Sequence, residues 1–124
     1  MSLPEPSEVA TAMITKVSEL KACRAELLEL AKRKAETLVD YRKAKARYTV
    51  ILRLGEPVTL EDKVVVDPPV TLIPSIVQGI CWKEKLEAAK SEAMYKAKIV
   101  CMDALKSELN GLQSINRFLE DLPG

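Results

Sequence analysis

The side chains best placed to do chemistry are carboxylates and cations, because the chain contains no histidine. Glu26-x-x-Glu29 and Glu84-x-x-Glu87 each set two carboxylates on one face of a helix. That is the spacing with which a metal-dependent hydrolase holds a divalent ion. Their surroundings argue for a plainer role. Glu84 lies between Lys83 and Lys85, and Glu26 is two residues from Arg24, which favours solvated helix faces crossed by ion pairs. No metal site and no cofactor is therefore expected. Without imidazole there is no histidine-based triad, histidine metal site or near-neutral pH switch. Cys23, Cys81 and Cys101 form no C-x-x-C pair. They read as small hydrophobes on helix faces, and a catalytic thiol would lack a histidine base. No catalytic residue is assigned, and the chain is not expected to be an enzyme.

The second chemical feature is a basic stretch. Between Lys32 and Arg53 lie Lys32, Arg33, Lys34, Arg42, Lys43, Lys45, Arg47 and Arg53, against only Glu36 and Asp40. The stretch carries +6 while the whole chain carries +1, which leaves −5 for the remainder. Such asymmetry suits contact with phosphates or with an acidic partner. Tyr41 and Tyr48 lie within it and have rings able to stack on bases. Lys32, Arg33, Lys34, Arg42, Lys43, Lys45 and Arg47 are thus the nucleic-acid-binding candidates. Two observations count against them. Lys43, Lys45 and Arg47 step around a helix by two residues, and both tyrosines fall in an apolar stripe.

The elements that position these residues follow from the helix breakers. Pro4 and Pro6 stand at the start, and Pro123 and Gly124 at the end. Gly55, Pro57, Pro68, Pro69, Pro74 and Gly79 cluster in the middle. The stretches between are rich in Ala, Leu, Glu, Lys and Arg and nearly free of Gly and Pro, which predicts two long helices. The expected order within 124 residues is one helical domain: helix one over about 7–52, a connection over about 53–74, and helix two over about 75–120. Ser7 is the expected cap of helix one, and Thr71 and Ser75 are candidate caps for helix two. Val64-Val65-Val66 is a strand candidate with 50–54 as its partner. Gly79 is the expected break between a short helical turn and helix two. The apolar stripe of helix one runs Met13, Val17, Leu20, Leu27, Ala31, Leu38, Tyr41, Tyr48, Leu52. Its seven-residue spacing is interrupted at Lys34, so it is not a clean coiled-coil seam.

Helix two has two apolar edges. Trp82, Leu86, Ala89, Ala93, Ala97, Val100 and Ala104 form one; Met94, Cys101, Leu105, Leu109, Leu112, Ile115 and Leu119 form the other. So wide an apolar surface needs more than one neighbour. The expected fold is all-α: two long antiparallel helices, a coiled-coil-like hairpin with an irregular or β-hairpin connection, assembled into an oligomeric helix bundle. Trp82, Leu86, Met94, Leu105, Leu109, Leu112, Ile115 and Leu119 are the interface candidates. Trp82 is expected chiefly to anchor the connection against helix one.

Val70-Thr71-Leu72-Ile73-Pro74 with Gly79, Tyr95-Lys96-Ala97 and Leu112-Gln113-Ser114-Ile115 are similar to small helical proteins encoded by phages and prophages of Gram-positive bacteria. The resemblance covers residues 70–119. It implies a compact helical accessory protein in the cytoplasm of a bacterial host and brings no site residues with it. The N-terminus lacks a signal peptide's basic and apolar regions, and no run approaches the ~18 apolar residues of a membrane span, so a cytoplasmic location is expected. The expected function is non-enzymatic: an interaction or scaffold protein working through helix-face contacts, with a second copy, a host protein or a phage protein as partner. Nucleic-acid binding through 32–53 is the alternative, and a metal-dependent hydrolase built on the two E-x-x-E pairs ranks last.

Overall fold

The computed structural model describes residues 2–123. Helix α1 spans Pro6–Arg53, strands β1 and β2 span Val58–Leu60 and Lys63–Val65, a 3-10 turn covers Val70–Leu72, and helices α2 and α3 span Ile73–Ile80 and Trp82–Glu120. The fold is all-α apart from the two-stranded antiparallel hairpin in the connection. The chain divides into two compact units. Unit 1 holds the residues up to Glu29 and those from Tyr95 on; unit 2 is Leu30–Met94.

In unit 1 the side chains withdrawn from solvent recur in steps of three and four. They are Val9, Met13, Lys16, Leu20, Cys23 and Leu27 on α1, and Tyr95, Lys98, Met102, Leu105, Leu109, Leu112, Asn116 and Leu119 on α3. This heptad rhythm is a coiled-coil seam. The helices run antiparallel across it: Lys16 reaches Glu108 at 2.5 Å, and Lys98 pairs with Glu26. The Cys23 thiol lies 3.9 Å from the Lys98 carbonyl. Only Val9, Leu20 and Cys23 are fully buried among the described residues of this unit, all three on α1.

Unit 2 continues the rhythm with Leu30, Lys34, Thr37, Tyr41, Ala44, Tyr48 and Ile51 on α1 and Glu84, Ala88 and Ser91 on α3. Lys34 occupies a seam position rather than interrupting the stripe. Polar residues at these positions hide the seam from a hydrophobicity pattern. Val17 and Leu38, expected in the stripe, are exposed beside it. The best-packed core lies where the connection closes on α1: Leu52, Val58, Ile73, Val77 and Cys81 are buried together, with Tyr41, Tyr48, Ile51 and Val65 against them. Ile73, Val77 and Cys81 are spaced by four residues, so one face of α2 and its C-terminal cap supplies three of the five.

Several boundaries differ from expectation for local reasons. The cap of α1 is Glu5 rather than Ser7. Pro6 takes the first helical position, where its missing N–H costs nothing. The Glu5 backbone N–H donates to the Glu8 carboxylate at 3.3 Å, one half of a capping box. The 50–54 segment is helix to Arg53 instead of strand, because Ile51 and Leu52 face the core on the helical repeat. The partner of β2 is β1, with Val58 opposite Val65 and Leu60 opposite Lys63. Neither Thr71 nor Ser75 caps α2; its cap position is Leu72, with Pro74 in the first turn. The break before α3 falls at Cys81, with φ −91° and ψ 21°, rather than at Gly79. Gly79 packs against Leu60: a Cβ there would stand 3.3 Å from its Cδ1, so the leucine end would have to shift by a few tenths of an ångström.

Helix α1 ends at a glycine in the left-handed region. With φ at 77°, the Gly55 N–H reaches the Leu52 carbonyl at 3.1 Å and the Glu56 N–H reaches that of Ile51 at 3.2 Å, a Schellman motif. The hairpin turn is less well matched to its residues. Glu61 and Asp62 have φ of 47° and 64°, the positive pair of a type I′ turn, for which Asn-Gly is the preferred sequence. Replacing Glu61-Asp62 by Asn-Gly is expected to raise stability by about 0.5–1 kcal/mol, measured by urea denaturation. Ser91 is 1% exposed and its hydroxyl has no hydrogen-bond partner. Ser91→Ala is expected to stabilise by about 1 kcal/mol, and a lower urea midpoint would contradict that reading.

Candidate functional site

The basic stretch does not form one surface. Arg33 reaches across to Glu87 on α3 at 3.2 Å. Lys34 and Lys45 are half-buried. The Lys45 ammonium lies 5.1 Å from the Tyr41 ring centroid, and the Arg47 guanidinium 5.4 Å from that of Tyr48. Both tyrosines pack against the buried core of unit 2, so their rings are committed to packing and to these cation contacts. Lys32, Arg42 and Lys43 are exposed; at 100° per residue Lys43 lies about 20° around the helix from Lys32, and Arg42 about 80° to the other side. Unit 2 as a whole holds 12 basic and 9 acidic side chains, a net +3. A shallow cleft in that unit is lined by Arg33, Thr37, Asp40, Lys83, Glu84 and Glu87, which mixes charges of both signs.

One carboxylate of each E-x-x-E pair is held by a cation. Glu26 is bound to Lys98, and Glu87 to Arg33 with Lys90 at 3.9 Å. Glu84 is half-buried in the seam. Among the described residues, no three Cys, Asp or Glu side chains converge in a way that would hold a metal ion. Two lysine pKa values respond to the seam. Glu108 and Glu19 raise that of Lys16, and Glu26 raises that of Lys98, through hydrogen bonds to the ammonium. A raised value means that these contacts stabilise fully below the ordinary lysine range and fade as pH climbs above it. Burial pushes the Cys81 thiol up, and Glu84 adds to that, so Cys81 is a poor nucleophile at neutral pH.

The eight interface candidates divide into two groups. Leu105, Leu109, Leu112 and Leu119 are half-buried in the seam of unit 1, whereas Trp82, Leu86, Met94 and Ile115 are exposed. Trp82 is 55% exposed, with the Lys83 ammonium 5.6 Å from its ring, so it does not anchor the connection. One edge of α3 therefore faces α1, and the other faces solvent. What the residue-type pattern missed is the solvent edge beyond Ala104. Gly111 and Phe118 continue it, together with Ile115, which was expected on the other edge; helical spacing from Ala104 was the available signal.

The outward apolar side chains extend to α1, where Ile14 is 72% and Leu28 73% exposed. Accessible surface for the chain is 9063 Å². No helix among the described residues is long and apolar enough to cross a membrane.

Substituting Arg42, Lys43 and Arg47 together by Glu tests the basic stretch against a protein-facing role. Helix content by circular dichroism is expected to hold, and no salt-dependent oligonucleotide binding is expected before or after the change. Binding by the parent chain that falls steeply with salt and vanishes in the triple variant would overturn this.

Comparison with protein-family models, with curated proteins and with solved structures yields no match.

Proposed function

We propose that the chain is a non-enzymatic helical interaction protein that works through contacts between helix faces and associates with itself. The large apolar side chains left exposed on both long helices, among them Ile14, Leu28, Val100 and Phe118, carry this reading. Surface of this kind is costly to leave in water. At ~25 cal/mol per Å² of apolar area removed, even a partial cover is strongly favourable. Self-association answers the need without a second gene product. A scaffold or accessory role in a bacterial cytoplasm, phage-encoded, is the setting that the resemblance over 70–119 suggests.

Nucleic-acid binding through 32–53 ranks second. Its support is the net +3 of unit 2; against it stand the cations already engaged with Glu87, Tyr41 and Tyr48. A divalent-metal hydrolase ranks last, because Glu26 and Glu87 are bound to cations.

Sedimentation equilibrium of the full chain tests the leading reading. The expected mass is at least twice 13.8 kDa at micromolar concentration, falling on dilution. A monomer throughout would overturn self-association.

A further inference from the structure

Two of the three cysteines stand level with each other in unit 1. Lys16 with Glu108 and Glu26 with Lys98 set the antiparallel register of the helices there. Seven residues on from Lys16 along α1 is Cys23, and seven back from Glu108 along α3 is Cys101. The same two cysteines are three residues from Glu26 and three from Lys98. Cys23 and Cys101 therefore occupy a rung between the two ion pairs, about one helical turn from Glu26 and Lys98. They also share an edge of the seam. Each lies four residues ahead of a seam leucine, Leu27 on α1 and Leu105 on α3, and is turned from it by about 40° in the same sense. A two-fold axis across the seam relates the paired helices, so equal turns in the same sense reach the same edge.

Contacts in unit 1 place the sulfurs more closely. The Cys23 Sγ is 3.9 Å from the Lys98 carbonyl oxygen. That carbonyl is three residues before Cys101, and a γ atom three or four residues on from a helical carbonyl can turn back onto it. Thr37 does so in this chain, its hydroxyl donating to the Arg33 carbonyl at 2.9 Å and the Lys34 carbonyl at 3.1 Å. One rotation about χ1 thus carries the Cys101 sulfur to the oxygen that Cys23 already touches. The Lys98 ammonium, held by Glu26, is within electrostatic reach of both sulfurs. Cys101 is exposed and Cys23 is buried, so one thiol meets solutes and the other lies behind it. Cys81 belongs to unit 2, packed among Leu52, Ile73 and Val77.

We propose that Cys23 and Cys101 form a reversible thiol-oxidation site that closes into a disulfide across the seam of unit 1. Its co-reactant is a low-molecular-weight disulfide. The Cys101 thiolate attacks one sulfur of that disulfide, forming a mixed disulfide and releasing the other half as a thiolate. The Cys23 thiolate then attacks the Cys101 sulfur. The Cys23–Cys101 bond forms, the mixed S–S bond breaks, and the second half leaves. Two protein thiols are oxidised, the co-reactant takes up two electrons, and the two thiol protons end on the two thiols it becomes. The new bond closes a loop that contains all of unit 2, which narrows the unfolded ensemble and prevents α1 and α3 from parting in unit 1. In a reducing compartment such a pair closes only when an oxidant is present.

Oxidised glutathione, added to the reduced full chain without denaturant, is the probe. Products are trapped by alkylation and read by non-reducing electrophoresis and peptide mass mapping. The expected product joins Cys23 to Cys101 within a single chain and leaves Cys81 reduced. Cys101→Ser, a change at an exposed site, is expected to abolish the link and leave Cys23 reduced. Cys23→Ser is expected to halt at the glutathione mixed disulfide on Cys101. The oxidised parent chain is expected to melt at least about 5 °C above the reduced one, and dithiothreitol is expected to reverse both changes. Glutathione that stays on Cys101 of the parent chain overturns the proposal. So do chains joined to each other through Cys101, a Cys23–Cys101 link that forms no faster in the native chain than in urea, and a parent chain in which neither thiol reacts.

Discussion

Two helices laid side by side cover only a narrow strip of each other, and that limit governs this molecule. In a seam of alternating three- and four-residue steps, each side chain has neighbours on one side and water on the other. Most seam residues of unit 1 are accordingly half-buried, and full burial is confined to Val9, Leu20 and Cys23 among its described residues. Unit 2 escapes the limit locally. The hairpin and α2 fold back over the end of α1 and supply a third side, and there Leu52, Val77 and Cys81 are almost completely enclosed.

Polar residues in the seam have a use that their energetic cost obscures. Lys16 with Glu108, Glu26 with Lys98 and Arg33 with Glu87 climb one helix as they descend the other. Exposed pairs of this kind contribute little to stability. They discriminate strongly between registers, because a slip of one heptad would set them against the wrong partners. A wholly leucine seam would hold harder but would accept several alignments.

The helices were legible because Gly and Pro are concentrated in the connection. The break at Cys81 was not, since Cys81 has no special backbone chemistry and Gly79, the obvious candidate, serves a packing contact with Leu60. The strand partner was hidden because 50–54 has β-branched residues that suit either state, and burial against α2 decided for helix. The seam was hidden by Lys16, Lys34, Thr37, Ser91 and Lys98, which pattern reading counts as surface. At the candidate site, the sequence disclosed the charge of 32–53 but not its engagement: whether a cation is free depends on what stands across from it, and Glu87 is far away in the chain.

The three cysteines are distributed in a way that makes the molecule report on itself. Cys101 is exposed, Cys23 is buried in unit 1, and Cys81 is buried in unit 2 with its thiol pushed up. A thiol reagent would therefore meet one site in the native chain at once. The second would become reachable when unit 1 opens, and the third when the core around Leu52 and Val77 comes apart. Three native sulfurs thus act as a clock with separate hands for the two units.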